Sequence, residues 1–336
     1  MIRQAVLLVG GRGTRVWPLT VSMPKGLLPV AGVPFIELQF RLLAEVGVEE
    51  VILAVGTDHQ REWQAYAQSV SRLHVVVSVE QTRLDTAGPV GAVRDRLDDR
   101  FLVLNGDVVL EGQLAEFVAG APDLPAVLSL VRVEDTSAYG VVVTNRDGVV
   151  ERFVEKPPAG TAPTDTVNAG MYLMKREVLE AYPDGPLSFE HAVFPDLVAA
   201  GGLGGFVIEG EWLDIGTNEL YLETHDAVAA GRSRLVRFPE PVPDPWVYVE
   251  DGAVIDSAAI VEEAVVLAGA TIAAGATVRR AVIGRGAVVE AGAIVSGSSL
   301  VGENATIGAG CEITAGARIA PGARLEPGSI TFSPPE

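Results

Sequence analysis

One cysteine, Cys311, stands in a chain of 336 residues. It excludes an intramolecular disulfide and a metal site built from several thiolates. A reducing cytoplasm is the simplest home for such a chain. Histidine is nearly as scarce, at four residues: His59, His74, His191 and His225. Surface or packing roles are expected for all four. Positive charge is short as well. The 25 Lys and Arg are outnumbered by 44 Asp and Glu, giving a net charge of −19. Nucleic acid and anionic membrane are thereby excluded as partners, because both call for a basic face. A small polyanion is not excluded, since a local basic pocket can sit in an acidic surface. No apolar window approaches the roughly 20 residues of a membrane span. The apolar run near the N-terminus is too short for a signal-peptide core. The expectation is a soluble chain.

The sequence has a globular composition, with 48% hydrophobic and 21% charged residues. Its length makes two domains the default. Up to about residue 235, short Val-, Leu- and Ile-rich runs alternate with helical patterns. Strands are predicted at 5–9, 50–55, 75–79 and 101–104. A helix is predicted to start with Pro34 at its first position. It carries Phe35, Leu38, Leu42 and Val46 on one face and stops at Gly47. Further helices are predicted over 58–70 and 89–98. This alternation predicts an α/β domain with a parallel sheet covered on both sides, becoming mixed after residue 125. In such sheets, ligands sit at the carboxyl ends of the strands. The polar clusters fall there, after Val9, Val79 and Leu104. Residues 236–247, VRFPEPVPDPWV, read as a proline-dense linker without regular helix.

From 248 an aliphatic residue recurs every sixth position: Val254, Ile260, Val266, Ile272 and Val278. After one five-residue step the series continues from Ile283 through Val289, Val295, Val301, Ile307, Ile313 and Ile319 to Leu325. A small residue, mostly Ala, follows four places after nearly every one. This period resembles the left-handed parallel β-helix of hexapeptide-repeat proteins, in which three hexads make one triangular coil. The aliphatic residues are expected to point inward and the small ones to fill the corners. The expected division is 1–235, 236–247 and 248–336.

The stretch GGRGTRVWPLTVSMPKGLLPV, residues 10–30, follows the first strand and suggests phosphate binding. It is neither a dinucleotide fingerprint, because the last position counted from Gly11 is Val16, nor a G-x-x-x-x-G-K-[ST] loop. A glycine-rich turn with surface arginines is the plain alternative. Seven more pieces follow in order: LDTAG from Leu84, NGD from Asn105, YGVV from Tyr139, EKP from Glu155, NAG from Asn168, SFE from Ser188 and WLDIGT from Trp212. Together they resemble the sugar-1-phosphate nucleotidyltransferases over 1 to about 225, and among them the mannose-1-phosphate guanylyltransferases. Val16 replaces the usual Leu or Met, Gly26 a frequent Pro, and Asp85 the usual Gly.

The resemblance implies a Rossmann-like catalytic domain. A sugar-1-phosphate oxygen would attack the α-phosphorus of a nucleoside triphosphate, and pyrophosphate would leave. Both reactants are anionic, so positioning and charge neutralisation carry the catalysis. The attacking oxygen is already ionised, and no general base is required. Gly10, Gly11, Gly13 and Thr14 would then line the phosphates, with Arg15 as a planar fork and Lys25 as a compact charge on the α-phosphate. The loop of Asp85, Thr86 and Gly88 would meet the base. Asp85 could there accept two hydrogen bonds from guanine. An exposed loop aspartate is the plain reading. Asp107 and Asp214 would hold Mg²⁺, and a helix capped by Thr217 is expected just after Asp214. Gly140, Glu155, Lys156 and Asn168 would meet the sugar phosphate. Glu190 is expected near them or as a helix cap.

GTP with mannose-1-phosphate is the favoured pair. Glucose-1-phosphate with dTTP, UTP or ATP, and a heptose or cyclitol phosphate, stay open. A non-catalytic nucleotide-sugar-binding subunit is the reading of another class. It is disfavoured because Arg15, Lys25, Asp107 and Asp214 are all present. A second, acyltransferase activity in the repeats is disfavoured because no histidine follows His225. The repeats are expected to serve a homo-oligomer or brace the catalytic domain.

Overall fold

The computed structural model of the protein describes residues 2–112 and 114–331. The end of the expected repeat domain, 332–336, lies outside the described residues. The chain forms two compact units, and neither is a continuous stretch. One comprises Met1–Gly11 and Ile36–Trp212, the other Arg12–Phe35 and Leu213–Glu336.

The first unit is built on one mixed sheet of nine strands. They are β1 Gln4–Leu8, β2 Glu50–Gly56, β3 His74–Glu80, β4 Arg100–Asn105, β5 Ala126–Arg132, β6 Gly140–Thr144, β7 Val150–Glu155, β8 Thr166–Lys175 and β9 Leu203–Val207. The order is β7-β6-β8-β4-β1-β2-β3, with β5 paired to β8 and β9 to β5. β1 pairs in parallel with both β2 and β4. The chain therefore leaves β1 toward one edge and returns on its other side, and a ligand crevice belongs at that reversal. The four predicted strands appear with ends within a residue or two. Ala5, Val6 and Leu7 are fully buried, as in a strand covered on both faces. The antiparallel β8 turns the sheet mixed, as expected. A core of Val6, Val103, Leu128 and Val142 packs on Tyr172, Phe189 and Phe194, whose ring centroids lie 5.2–5.5 Å apart.

Two helix predictions change. Pro34 does not open the first helix, Phe35–Glu45. It lies in a short strand, Val33–Pro34, paired with Pro29–Val30. The turn between them, Ala31 and Gly32, has positive φ at both residues (46° and 85°), the requirement of a tight hairpin turn. The predicted helix 89–98 breaks into a four-residue helix, Gly88–Gly91, and a single 3₁₀ turn, Arg94–Arg96. After Ala92 the amides of Val93, Arg96 and Leu97 bond three residues back rather than four. The helix 58–70 holds as a turn, Thr57–His59, followed by Gln60–Ser69.

The second unit joins the 12–35 segment to the helix Asn218–Ala229 and the repeats. Thr217 caps that helix, its hydroxyl accepting from the Leu220 amide at 3.2 Å. Residues 236–246 carry no helix, but Val236, Phe238 and Trp246 are buried. The repeats stack as parallel strands on three faces. Val247–Val249 starts one face, Val254–Ile255 the second and Ile260–Val266 the third, with the strand's last residues joining the first face again. Ile255, Val261 and Val266 lie beneath Ile272, Val278 and Ile283, and these beneath Val289, Val295 and Val301. This is a triangular parallel β-helix. Its register corrects the sequence at the first coil. Val254 (59% exposed) and Ile260 (45%) face outward, while Ile255 and Val261 pack inward. There are two five-residue steps, after Val261 and after Val278. Each makes a corner with a residue of positive φ, Glu263 or Arg280.

Candidate active site

In the first unit, the carboxyl ends of β1, β2, β3 and β4 meet at glycines. A Cβ on Gly10 would lie 2.6 Å from Glu80 Oε1 and 3.1 Å from the Gly56 nitrogen. On Gly106 it would lie 2.4 Å from Val9 Cγ1. Close packing explains both. Gly11 is different: it is exposed, a Cβ there would meet nothing within 4 Å, and its φ is not positive. Neither packing nor conformation demands glycine at 11. An open backbone N–H at the reversal point of a parallel sheet is suited to an anion that must come close.

Glu80, the first residue of the loop EQTRLDTAG, sits beside that turn. Burial pushes its carboxyl up, offset by the Leu84 amide that it accepts at 3.3 Å. Asp85 is exposed with φ 65°, a left-handed conformation that aspartate tolerates better than most residues. Thr86 uses its hydroxyl inside the unit, donating to Glu190 Oε2 at 2.7 Å and accepting from the Phe189 amide at 2.8 Å. Gly88 packs where a Cβ would meet the Gly185 carbonyl oxygen at 2.5 Å. Glu190 is not a helix cap. Ser188 accepts from the His191 amide, and Glu190 accepts from the Ser188 and Thr86 hydroxyls.

Asp107 follows β4 in a half-buried turn. Gln39, fully buried on the helix Phe35–Glu45, donates to the carbonyls of Asn105 and Val108 at 2.7 and 2.8 Å. It braces the turn that carries Asp107. The only hint in the sequence is an uncharged polar residue between Leu38 and Phe40.

The expected sugar-phosphate residues lie at the neighbouring ends of β6, β7 and β8. Gly140 faces Glu155 across the ladder, and a Cβ on it would sit 3.0 Å from Glu155 Oε2. Lys156 pairs with Glu155 Oε1 at 3.1 Å, 60% exposed. Asn168 stands at a break in the β8 register, its Oδ1 accepting from the Gly170 amide and its Nδ2 donating to Tyr172 Oη, both at 3.0 Å. Burial pushes the Tyr172 hydroxyl far above its ordinary value. Glu190 and Glu155 push the same way, and hydrogen bonds with Asn168 and Asn105 oppose them. The fold thus gathers Asn105, Glu155, Asn168 and Glu190 around one buried phenol. Nearby, Tyr139 and Trp212 pack at 4.9 Å between centroids.

The second unit carries Arg15 and Lys25. Gly13 has φ 60°, and its carbonyl accepts from Thr20 Oγ1 at 3.0 Å. Thr14 and Arg15 form an exposed 3₁₀ turn anchored by buried Val16. Lys25 opens another turn and is half-buried. Asp214 Oδ1 accepts from the Gly216 amide, and its carbonyl accepts from Thr224 Oγ1 at 3.0 Å. Among the described residues no three His, Cys, Asp or Glu side chains converge as a metal cage. The carboxylate of Asp107 in the first unit and that of Asp214 in the second are each a hard oxygen donor of the kind that divalent cations take.

The nucleotidyl transferase family model matches residues 4–231, and a GMPPB C-terminal domain model matches 239–326. The chain belongs to the nucleotidyl transferase family. Among its relatives is the probable mannose-1-phosphate guanylyltransferase 1 of Oryza sativa subsp. japonica, 38% identical over 65% of this chain and 63% of that protein. The mannose-1-phosphate guanylyltransferase of Mycobacterium tuberculosis is 37% identical over 71% of this chain and 66% of its own length. The matched stretch thus spans less than two thirds of these relatives. The crystal structure of HddC from Yersinia pseudotuberculosis superposes with a TM-score of 0.60 at 27% identity, covering 67% of this chain and 99% of that one. A structure of HddC complexed with GMP-PN gives 0.59.

Proposed function

We propose that the protein is a sugar-1-phosphate nucleotidyltransferase that transfers GMP from GTP to mannose-1-phosphate and releases pyrophosphate. The observation that carries this is Gly11, a glycine that its own surroundings do not require, at the reversal point of the sheet. The relatives' names favour guanine and mannose. In this reading the amides of Gly10, Gly11 and Gly13 and the hydroxyl of Thr14 bind phosphate. Arg15 holds the triphosphate, and Lys25 offsets the charge that grows on the α-phosphate. Asp107 and Asp214 hold Mg²⁺, which when bound would draw charge from the phosphates. Glu155 and Asn168 accept sugar hydroxyls, Lys156 meets the sugar phosphate, and the Gly140 backbone lies against the ring. Asp85, Thr86 and Gly88 form the base loop. Asp85, exposed in that loop, would accept from guanine N1–H and N2–H₂. The domains are taken as 1–235 and 248–336 with a linker at 236–247, working as a homo-oligomer in the cytoplasm.

The test is pyrophosphate release by the purified chain with Mg²⁺ across a panel of nucleoside triphosphates and sugar-1-phosphates. GTP with mannose-1-phosphate should give the highest kcat/KM. Another pair on top would replace the substrates, and no release with any pair would replace the reading with a binding subunit. Lys25→Ala should lower kcat by about a hundredfold or more with a small change in KM. Wild-type turnover in that variant would remove Lys25 from the chemistry.

A further inference from the structure

The segment with Arg15 and Lys25 is held at its far end by residues more than 190 positions away in sequence, all inside the second unit. His225, on the helix Asn218–Ala229, is fully buried in a box of Tyr221, Phe238, Trp246 and Tyr248. Its Nδ1–H donates to the Tyr221 carbonyl at 2.9 Å, which leaves Nε2 as an acceptor for the Ala31 amide at 3.3 Å. Tyr221 Oη donates to the Pro29 carbonyl. Gly32 lies under the Tyr248 hydroxyl, where a Cβ would come within 2.8 Å. These contacts pin the hairpin turn that closes the cation-bearing segment.

The box is tied to the β-helix. Trp246 stacks on the His225 ring, with centroids 5.5 Å apart and planes 15° from parallel. Its Nε1–H donates to Asp226 Oδ1 at 2.7 Å. Asp226 Oδ2 accepts from Arg280 Nη1 at 3.1 Å, and Arg280 stands at a corner of the second coil, bonded also to Glu263 at 3.3 Å. Independently, Arg318 of a later coil donates through Nη1 to the Thr14 carbonyl at 3.2 Å. The Arg318 contact is made near the start of the segment, at Thr14, and the His225 contact near its end, at Ala31.

We infer that the β-helix is a positioning device for the catalytic segment 12–35, acting through the neutral imidazole of His225 and the guanidinium of Arg318. Its catalytic side rests on the nucleotidyl-transfer reading above. His225 touches no substrate; it acts by fixing Ala31, and so the path of the chain that carries Lys25. Burial holds its pKa down to about 4, which keeps the Nε2 lone pair available.

Three full-length variants test this. His225→Phe keeps the ring stack and removes both hydrogen bonds, His225→Gln restores an acceptor near Nε2, and Arg318→Ala removes an exposed side chain that folding can spare. In His225→Phe, amides of 13–31 should exchange at least about tenfold faster, while the β1 and β4 amides stay unchanged. Its kcat should fall about tenfold to a hundredfold, with KM for mannose-1-phosphate within about threefold. His225→Gln should recover most of both. Arg318→Ala should speed exchange at 14–17 and lower kcat a few-fold. A folded His225→Phe with wild-type exchange over 13–31, or with faster exchange and wild-type kcat, overturns the inference. If His225→Phe does not fold, Arg318→Ala decides on the same two readouts. A wild-type enzyme without pyrophosphate release sinks only the activity reading, and the exchange data still judge the positioning.

Discussion

Gly10 and Gly11 are neighbours in sequence and opposites in what they tolerate. A methyl group at 10 would press on the Glu80 carboxylate and the Gly56 backbone; at 11 it would meet open space. Gly10→Ala should therefore cost about 1–3 kcal/mol by crowding, visible in chemical denaturation. Gly11→Ala should leave stability unchanged and weaken the nucleotide, seen as a higher KM for GTP. A Gly11→Ala enzyme with wild-type KM and kcat would mean that no phosphate approaches that amide. At this scale the sequence offers candidates wherever residue type alone carries the chemistry: glycines after a strand, a lysine in a proline-framed turn, aspartates in NGD and WLDIGT. It was silent where function depends on what a side chain meets across the fold. Gln39 and His225 stand outside the motifs that singled out the site, and Glu80 opens the base loop with no role of its own legible in the sequence. Gln39 finds its partners 66 and 69 residues away, His225 Nε2 finds the Ala31 amide 194 residues away, and Glu80 lies against the glycine turn after β1.

At the scale of elements, unbroken apolar runs announce strands, so β1 to β4 are readable to within a residue or two, although only β1, β2 and β4 have buried interiors and β3, at the end of the strand order, is half-buried. The segment after Gly88 was not readable, because its apolar residues follow tight turns rather than a helical period. The β-helix was readable as a repeat but misread by one residue at its first coil. Val254–Ile255 and Ile260–Val261 are both aliphatic pairs, and periodicity alone cannot say which member of a pair points in. Strand pairing decides it, aligning Ile255 with Ile272 and Val261 with Val278. Val254→Ala should then change stability by no more than about 0.5 kcal/mol. Ile272→Ala, at a fully enclosed position, should cost about 2–5 kcal/mol. Urea unfolding of the two variants separates the registers, and a large loss at Val254 would restore the plain six-residue count.

For the whole molecule, the family boundary and the physical boundary disagree. The nucleotidyl transferase match stops at 231, yet the 12–35 segment shares a compact unit with residues beyond it. Cutting the chain after 235 would remove Phe238, Trp246, Tyr248 and Arg318 together, leaving His225 without most of its box. The shortened chain should lose at least about tenfold in kcat even if it remains folded, measured by pyrophosphate release at saturating substrates. Undiminished turnover would reduce the β-helix to an appendage. There is also a consequence for biosynthesis. Residues 12–35 leave the ribosome roughly 180 residues ahead of the next part of their own unit, a wait on the order of 10–40 s at ordinary translation speeds. During that interval the nascent turn has no aromatic cradle, so this is the part of the newborn polypeptide with most to gain from a chaperone.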